Sequence, residues 1–232
     1  RPPISLLKHA RDIGADLLRI GDGVHVEFGD AGWTCRVEDA VFPALPRLAM
    51  PGRHQYANAA CAIAALACAR RRLPVPVNAM RAGLGDARQP GRFQIVGQHP
   101  LRILDVAHNP HAAQALAGNL ADLPPTGRII AVFAMLADKD IEGVIAPLAA
   151  RVSHWHAAGL EPPRALPGPD LARRLGAMGC DATCHGRVSE AWQAACRQSG
   201  PADTIIAFGS FHTVAEAMVA MVEMTGGNDT HG

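Results

Sequence analysis

From residue 91 onward the chain alternates strictly between short apolar runs and helical segments. The pattern predicts strands at 101–107, 128–134, 152–158, 180–184 and 203–208, and helices at 110–122, 140–150, 169–178, 188–198 and 212–224. Strands that alternate with helices through short connections form βαβ units and a parallel sheet. We therefore expect an α/β fold with a Rossmann-like, mostly parallel sheet flanked by helices.

The first ninety residues follow a different pattern. Helices are predicted at 4–13, 54–72 and 77–84, strands at 16–20, 24–28 and 33–37, a hairpin turn at 21–23, a loop at 42–51 and a linker at 85–90. These are too few strands for a self-sufficient α/β domain, and the chain begins at Arg1 rather than Met. We therefore expect a fragment with two parts, 1–90 and 91–232, and a disordered polar tail at 225–232.

Composition excludes several classes of function. The net charge is +1, the 22 basic residues are scattered, and aromatic residues make up only 4% of the chain, which argues against a nucleic-acid partner. The longest apolar stretch, 57–69, is too short to cross a membrane, and no signal peptide is expected. None of the six cysteines forms a CxxC pair, which favours reduced thiols in the cytoplasm. Cys61 and Cys68, seven residues apart on one helix, are predicted to be small core residues.

Residues 102–113 read as a strand, a tight turn and the start of a helix. Asn109 is a suitable N-cap, and Pro110 fits the first helical position. Asp105 and His108 lie at the carboxyl end of the strand, where open α/β sheets bind ligands. Asp105 suits either a ribose hydroxyl or the capping of a turn, and His108 either a ligand or turn packing.

Two more polar turns follow predicted strands. Lys139 precedes a helix that Asp140 can cap; a lysine there opposes the helix dipole, which favours a functional role. After the last strand, Gly209 permits close approach, and Ser210 and Thr213 offer hydroxyl donors, although Ser210 could equally be a plain helix cap. The three turns are expected on one rim of the sheet.

Other candidates have weaker support. Arg92 follows Gly91 and is either a phosphate ligand or a surface residue of a linker, and Asn58 interrupts an alanine-rich helix as either a ligand or a surface residue. Neither a P-loop nor a G-x-G-x-x-G motif is present, which argues against an ordinary dinucleotide dehydrogenase. A set of histidines and cysteines matches no common zinc template, and no metal ligand is predicted: His154, His156, Cys180, Cys184 and His185.

Together these motifs carry a resemblance to a family. Pro90-Gly91-Arg92-Phe93, then residues 104–113, 135–140 and 208–214 in that order resemble the bacterial bifunctional dihydrofolate synthases/folylpolyglutamate synthases of the Mur ligase superfamily. The resemblance covers essentially the whole chain. It implies that 1–90 is the C-terminal part of a P-loop ATPase domain and that 91–232 is a Rossmann-like glutamate ligase domain.

The resemblance also implies an activity and a set of site residues. The family adds L-glutamate to dihydropteroate and to folates such as tetrahydrofolate, using ATP and Mg²⁺ and passing through an acyl phosphate. By position, Asn58, Arg92 and Asp105 match its ATP contacts. His108, Lys139 and Ser210 match its glutamate site, with His108 and Lys139 as the catalytic residues. The P-loop and the Mg²⁺ ligands would precede Arg1, so the fragment is expected to be inactive alone. The expected protein is a cytoplasmic monomer that acts on small molecules, without a nucleic-acid or membrane partner.

Two other interpretations also fit the sequence. One is a non-catalytic α/β module that binds a nucleotide. The other is a Mur ligase that builds peptidoglycan, which residues 208–214 fit less well. Upstream sequence with or without a P-loop would separate the enzyme from the binding module.

Overall fold

A computed structural model of the chain describes residues 2–30, 32–124, 127–161 and 165–226. It divides into two compact units, Arg1–Ala87 and Arg88–Gly232. The predicted disordered tail falls largely on 227–232, which lie outside the described residues. Among the described residues, no helix combines the length and the apolar character needed to cross a membrane.

The first unit combines a four-stranded sheet with three helices. Its elements in chain order are α1 (Ile4–Asp12), β1 (Arg19–Ile20), β2 (Gly23–Gly29), β3 (Gly32–Val37), β4 (Ala40–Leu45), α2 (Arg53–Ala69) and α3 (Val77–Asp86). The strand order in the sheet is β1-β2-β3-β4.

Two secondary-structure predictions for this unit are wrong. The expected hairpin of 16–20 with 24–28 does not form, because the chain between Arg19 and Asp22 closes on itself through two backbone hydrogen bonds of 2.9 Å. β1 therefore keeps only two residues and runs parallel to β2, whose antiparallel partner is β3. The expected loop at 42–51 begins instead with β4, which pairs antiparallel to β3.

The core of the first unit lies between α2 and the sheet. Ala59, Ala60 and Ile63 of α2 pack with buried residues of β3 that include Trp33 and Cys35. Small alanines on this face let the helix come close to the sheet. The prediction that Cys61 and Cys68 are core residues is wrong, since both are exposed.

The second unit has the predicted α/β alternation. Its elements are β5 (Gln94–Gln98), β6 (Leu101–Asp105), α4 (Pro110–Ala121), β7 (Ile129–Phe133), α5 (Ile141–Ala149), β8 (Val152–Ala158), α6 (Gly168–Ala177), β9 (Ala182–His185), α7 (Val188–Gln198), β10 (Thr204–Phe208) and α8 (Phe211–Gly226). Every predicted strand and helix of this part is present with ends within two residues of the expected ones. Only β5 was not predicted.

The six strands of the second unit form one sheet in the order β5-β6-β10-β7-β8-β9. β6 to β10 are all parallel, and β5 pairs antiparallel to β6 at the edge. The predicted fold class is thereby confirmed. The last strand, β10, returns from the far edge to lie between β6 and β7, so that β10 and β7 are central strands.

Two hydrophobic cores cover the two faces of this sheet. One contains buried residues of α4, α5 and α6, and the other contains those of α7 and α8. All five residues of β10 are buried, as are four of the five in β7. A parallel strand covered on both faces reads as a continuous apolar run rather than as an alternating one. This explains why these strands were easy to predict.

Candidate functional site

Three strands of the second unit end at the same level. Phe208 of β10 is in register with Asp105 of β6 on one side and with Phe133 of β7 on the other. The turns that follow these strands therefore leave the sheet side by side. The carboxyl edge of an open parallel sheet, where the strand order reverses, is the usual ligand site of such folds.

The three turns enclose a cleft of about 210 Å³. Its lining contains three residues predicted from the sequence, His108, Lys139 and Ser210, together with Leu136, Gly209, Phe211 and His212. The sequence predictions missed Leu136, Phe211 and His212 as lining residues. The only available signal was that they stand beside predicted residues in the same turns.

His108 is held in one orientation by the turn that follows β6. Its Nδ1–H donates to the carbonyl of Val106 at 2.9 Å, and a carbonyl can only accept. The neutral ring therefore carries its proton on Nδ1 and keeps an acceptor lone pair on Nε2. The turn itself is fixed by Asn109, whose Oδ1 accepts from the Ala112 N–H at 2.9 Å as the predicted N-cap of α4.

Lys139 lies at the opposite side of the same rim, just before α5. The predicted cap of that helix is present, because Asp140 Oδ1 accepts from the Gly143 N–H at 2.9 Å. The side chain of Lys139 is 34% exposed, and its Nζ lies 3.4 Å from a carboxylate oxygen of Asp138. Such a long, partly exposed pair is weak, so the ammonium can turn to an anion in the cleft.

Ser210 forms the N-cap of α8 and is buried. Its Oγ accepts from the Thr213 N–H at 3.0 Å and lies 2.7 Å from Thr213 Oγ1, which in turn donates to the carbonyl of Ala134 at 2.7 Å. This chain of hydroxyls ties the start of α8 to the end of β7. Gly209 has a φ of +119°, and a Cβ there would lie 2.4 Å from the Ala134 oxygen. The close approach predicted for Gly209 is therefore present.

Arg92 and Asp105 are joined by a rigid turn before β5. Asp105 accepts from the Phe93 N–H through one carboxylate oxygen and from the Ala107 N–H through the other, both at 2.8 Å. Phe93 is buried with a φ of +44°, a strained conformation for a bulky residue that this hydrogen bond helps to hold. A Cβ on Gly91 would lie 2.7 Å from Val106, so only glycine fits the turn. Arg92 projects from it as an exposed side chain.

Asn58 belongs to the first unit. It is exposed on α2, and its side-chain amide donates to Gln55 Oε1 at 3.0 Å. Gln55 is itself buried. The pair orients the amide of Asn58 along the helix surface. The structure thus groups His108, Lys139 and Ser210 around one cleft and links Arg92 to Asp105, while Asn58 stands on its own unit.

Glu216 adds a negative charge close to the cleft. It lies one turn after His212 on α8, and burial raises the pKa of its carboxyl, with the carboxylate of Glu161 acting in the same direction. A backbone hydrogen bond from Val188 acts in the opposite direction, as do His212 and Arg187. Glu216 therefore lies within electrostatic reach of His212, which lines the cleft.

The candidate zinc residues pair with one another and with polar side chains. His154 contacts Asp181 and Thr183 at 2.8 and 3.0 Å. His156 contacts His185 at 2.9 Å and Gln198 at 2.8 Å. Within the part of the chain that the structure describes, no group of three or more His, Cys, Asp or Glu side chains is arranged to hold a metal ion.

Known proteins with a similar sequence and fold are ligases and synthases. Residues 91–211 match the family described as Mur ligase, glutamate ligase domain. The dihydrofolate synthase/folylpolyglutamate synthase of Escherichia coli (strain K12) is 40% identical over 93% of this chain and 49% of its own length.

Solved structures agree with the sequence comparison. E. coli FolC in complex with DHPP and ADP is 38% identical with a TM-score of 0.85, covering 96% of this chain and 51% of that one. A bifunctional folylpolyglutamate synthase/dihydrofolate synthase with Mn, AMPPNP and L-glutamate bound is 39% identical with a TM-score of 0.83, covering 95% and 51%. The chain spans about half the length of the curated relatives it matches.

Proposed function

We propose that this chain forms the amino-acid-binding part of an ATP-dependent amide ligase. The chain belongs to the Mur ligase family, since its residues 91–211 match the glutamate ligase domain of that family. The ligase adds L-glutamate to dihydropteroate and to folates. The relatives' names support these substrates over a cell-wall precursor, and support a ligase over a module that only binds nucleotides.

The observation that carries the proposal is the cleft at the carboxyl ends of β6, β10 and β7, which end in register. Pockets for drug-sized ligands measure roughly 300–1,000 Å³, so a cleft of about 210 Å³ suits a single amino acid better than a larger molecule. Lys139 supplies a cation for a carboxylate of that amino acid, and His108 supplies an acceptor for its amine. An amino acid carries both a carboxylate and an amine, so a single molecule satisfies both groups.

The chemistry assigns a task to each group of the cleft. Bound ATP would supply the phosphoryl group that turns a carboxylate of the pterin substrate into an acyl phosphate. The amine nitrogen of L-glutamate then attacks the acyl carbon, phosphate leaves, and the nitrogen loses a proton. His108 Nε2 has the free lone pair to accept that proton. Lys139 holds the amino acid in place and, beside the reacting groups, offsets the negative charge of the leaving phosphate.

The nucleotide site is proposed to include Arg92, Asp105 and Asn58. Arg92 fits a phosphate because it is exposed on a turn that cannot move freely, and a guanidinium binds phosphate oxygens in pairs. Asp105 and Asn58 fit less directly, since each already has a protein partner. The described residues bring together no Mg²⁺ site. We place the Mg²⁺ ligands and the P-loop in the half of the relatives that this chain does not match.

We assign the two units to different domains of the ligase. Residues 91–232 form the glutamate ligase domain, and 1–90 form the C-terminal part of the ATPase domain. The sharp break between the units at Ala87 and Arg88 supports a boundary in this region. We also propose that the protein works as a monomer in the cytoplasm on small molecules. The six free thiols are compatible with that compartment.

Phosphate release by the complete protein tests the activity. By the complete protein we mean this chain together with a segment that corresponds to the half of its relatives that it does not match. Release from ATP should require both L-glutamate and either dihydropteroate or tetrahydrofolate. A cell-wall precursor that replaces the pterin as acceptor, or no dependence on glutamate, would contradict the proposal.

A further inference from the structure

The hydroxyl chain at the start of α8 has one favoured direction. Thr213 Oγ1 has a single proton and contacts two oxygens, Ser210 Oγ and the Ala134 carbonyl oxygen, each at 2.7 Å. A carbonyl cannot donate, so the proton of Thr213 goes to Ala134. The bond between the two hydroxyls must then use the proton of Ser210. Ser210 donates to Thr213, and Thr213 donates to Ala134.

This direction limits what Ser210 can offer a ligand. A serine hydroxyl has one proton and two acceptor positions. The proton is committed to Thr213, and one acceptor position is filled by the Thr213 N–H at 3.0 Å. The capacity that Ser210 has left in the cleft is one lone pair. It can accept a hydrogen bond, but it cannot donate one to a carboxylate.

We infer that Ser210 accepts a hydrogen bond from the amino group of the incoming amino acid and does not bind its carboxylates. The inference rests on the proposed function, in which the cleft takes an amino acid. According to this inference, the cleft has an amine side and a carboxylate side. His108 Nε2 and Ser210 Oγ, both acceptors, face the amine, whereas Lys139 is the cation for a carboxylate.

Thr213 is the positioning residue of this arrangement. Reversing the chain would free the proton of Ser210 but would leave the carbonyl of the buried Ala134 without this donor. An unsatisfied buried acceptor is costly, so the reversed state is disfavoured. Thr213 is fully buried and is not part of the cleft lining, so it can influence a bound ligand only through Ser210.

Calorimetric titration of the 232-residue chain with L-glutamate and with glutarate tests the inference. Glutarate has both carboxylates but no amine. Ser210→Ala should weaken L-glutamate binding roughly tenfold or more, as expected for the loss of a hydrogen bond to a charged donor, and should leave glutarate binding unchanged. The matched control is Ser153→Ala, an exposed serine on β8. Equal weakening of both ligands, or of neither, would overturn the inference.

Two variants of Thr213 test the same point without touching Ser210. Thr213→Ser keeps the hydroxyl chain and should keep the wild-type preference for L-glutamate over glutarate. Thr213→Val removes the acceptor for the Ser210 proton, so that the freed hydroxyl can turn to a carboxylate and the preference should shrink. An unchanged preference in Thr213→Val would overturn the role of Thr213. A wild-type chain that binds no L-glutamate at all would instead overturn the proposed function.

Discussion

At the scale of single residues, the carboxylate of Asp105 shows how one side chain can stabilise a site that another residue uses. Both of its oxygens accept backbone N–H bonds, and one of these bonds holds Phe93 in a strained conformation. Arg92 stands between Gly91 and Phe93 in the same turn. The turn-capping role that the sequence offered for Asp105 is present in its bond from the Ala107 N–H, whereas its bond from the Phe93 N–H was not predicted. The ATP contact of Asp105 stays a prediction.

Substitutions at Asp105 and Arg92 should consequently have different effects. Asp105→Ala removes two hydrogen bonds to a charged acceptor and should cost about 3 kcal/mol of the free energy of unfolding. Arg92→Ala should leave that free energy nearly unchanged and should lower kcat/KM for ATP in the complete protein by a factor of about 100. Urea unfolding and steady-state kinetics check the pair. Equal stability of the two variants would refute the structural role of Asp105.

His156 makes stability depend on pH. Burial lowers its pKa from 6.5 to about 4 against the opposing effect of a hydrogen bond with Gln198, and the nearby His154, His185 and Arg197 also lower it. Above pH 6.5 the ring is neutral in both the folded and the unfolded chain. Between pH 6.5 and 4 the unfolded chain takes up the proton and the folded chain does not, so the free energy of unfolding falls as the pH falls. The total loss is about 3 kcal/mol and is complete below pH 4, where the folded chain takes up the proton as well.

Replacing His156 by Gln should make this pH dependence shallower. Unfolding by urea at several pH values between 7.5 and 4.5, followed by tryptophan fluorescence, measures it. The matched control is His25→Gln, on the exposed part of β2, which should retain the wild-type slope. If both variants keep the wild-type slope, the buried ring does not cause the pH dependence.

At the scale of elements, the turn between β10 and α8 is the most tightly constrained part of the cleft. A Cβ on Gly209 would meet the Ala134 oxygen at 2.4 Å, and the backbone φ of +119° disfavours any other residue. Gly209→Ala should therefore cost roughly 2–4 kcal/mol and displace the start of α8.

A second glycine provides the control for this prediction. Gly118 lies inside α4, and a Cβ there would meet nothing within 4 Å. Gly118→Ala should be neutral or should stabilise the protein by up to about 1 kcal/mol. Thermal unfolding of the two variants distinguishes them. A Gly209→Ala variant as stable as Gly118→Ala would show that the turn tolerates a side chain.

The elements also show what sequence patterns can and cannot predict. The buried strands β7 and β10 are continuous apolar runs, and the caps Asn109 and Asp140 are local signals, so all of these were predictable. β4 and β5 were missed because their burial alternates irregularly and their pairing depends on a neighbouring strand.

The candidate cleft was also predictable from local signals, but its long-range hydrogen bonds were not. Three polar turns after strands pointed to one rim, and the parallel register brings their residues together. The direction of the Ser210 hydrogen bond was not predictable, because it depends on Ala134, a residue 79 positions away from Thr213. Such long-range contacts leave no local signature in a sequence.

At the scale of the whole molecule, the chain should not act alone. Phosphoryl transfer depends on a positioned nucleotide and on metal ions that offset charge. The described residues bring together no metal site, and the relatives are about twice as long as this chain. The purified 232-residue chain should therefore show no glutamate-dependent ATP hydrolysis. Turnover by the chain in the standard phosphate-release assay would contradict this prediction.

The central claim is that the cleft of His108, Lys139 and Ser210 binds L-glutamate. The most direct test is the KM for each substrate in the complete protein with Lys139→Ala, set against Lys8→Ala, which removes the same charge from an exposed position on α1. Lys139→Ala should raise the KM for L-glutamate strongly, leaving the KM values for ATP and the pterin little changed, and Lys8→Ala should change none of them. A higher KM for ATP with an unchanged KM for L-glutamate would contradict the claim and would place Lys139 in the nucleotide site.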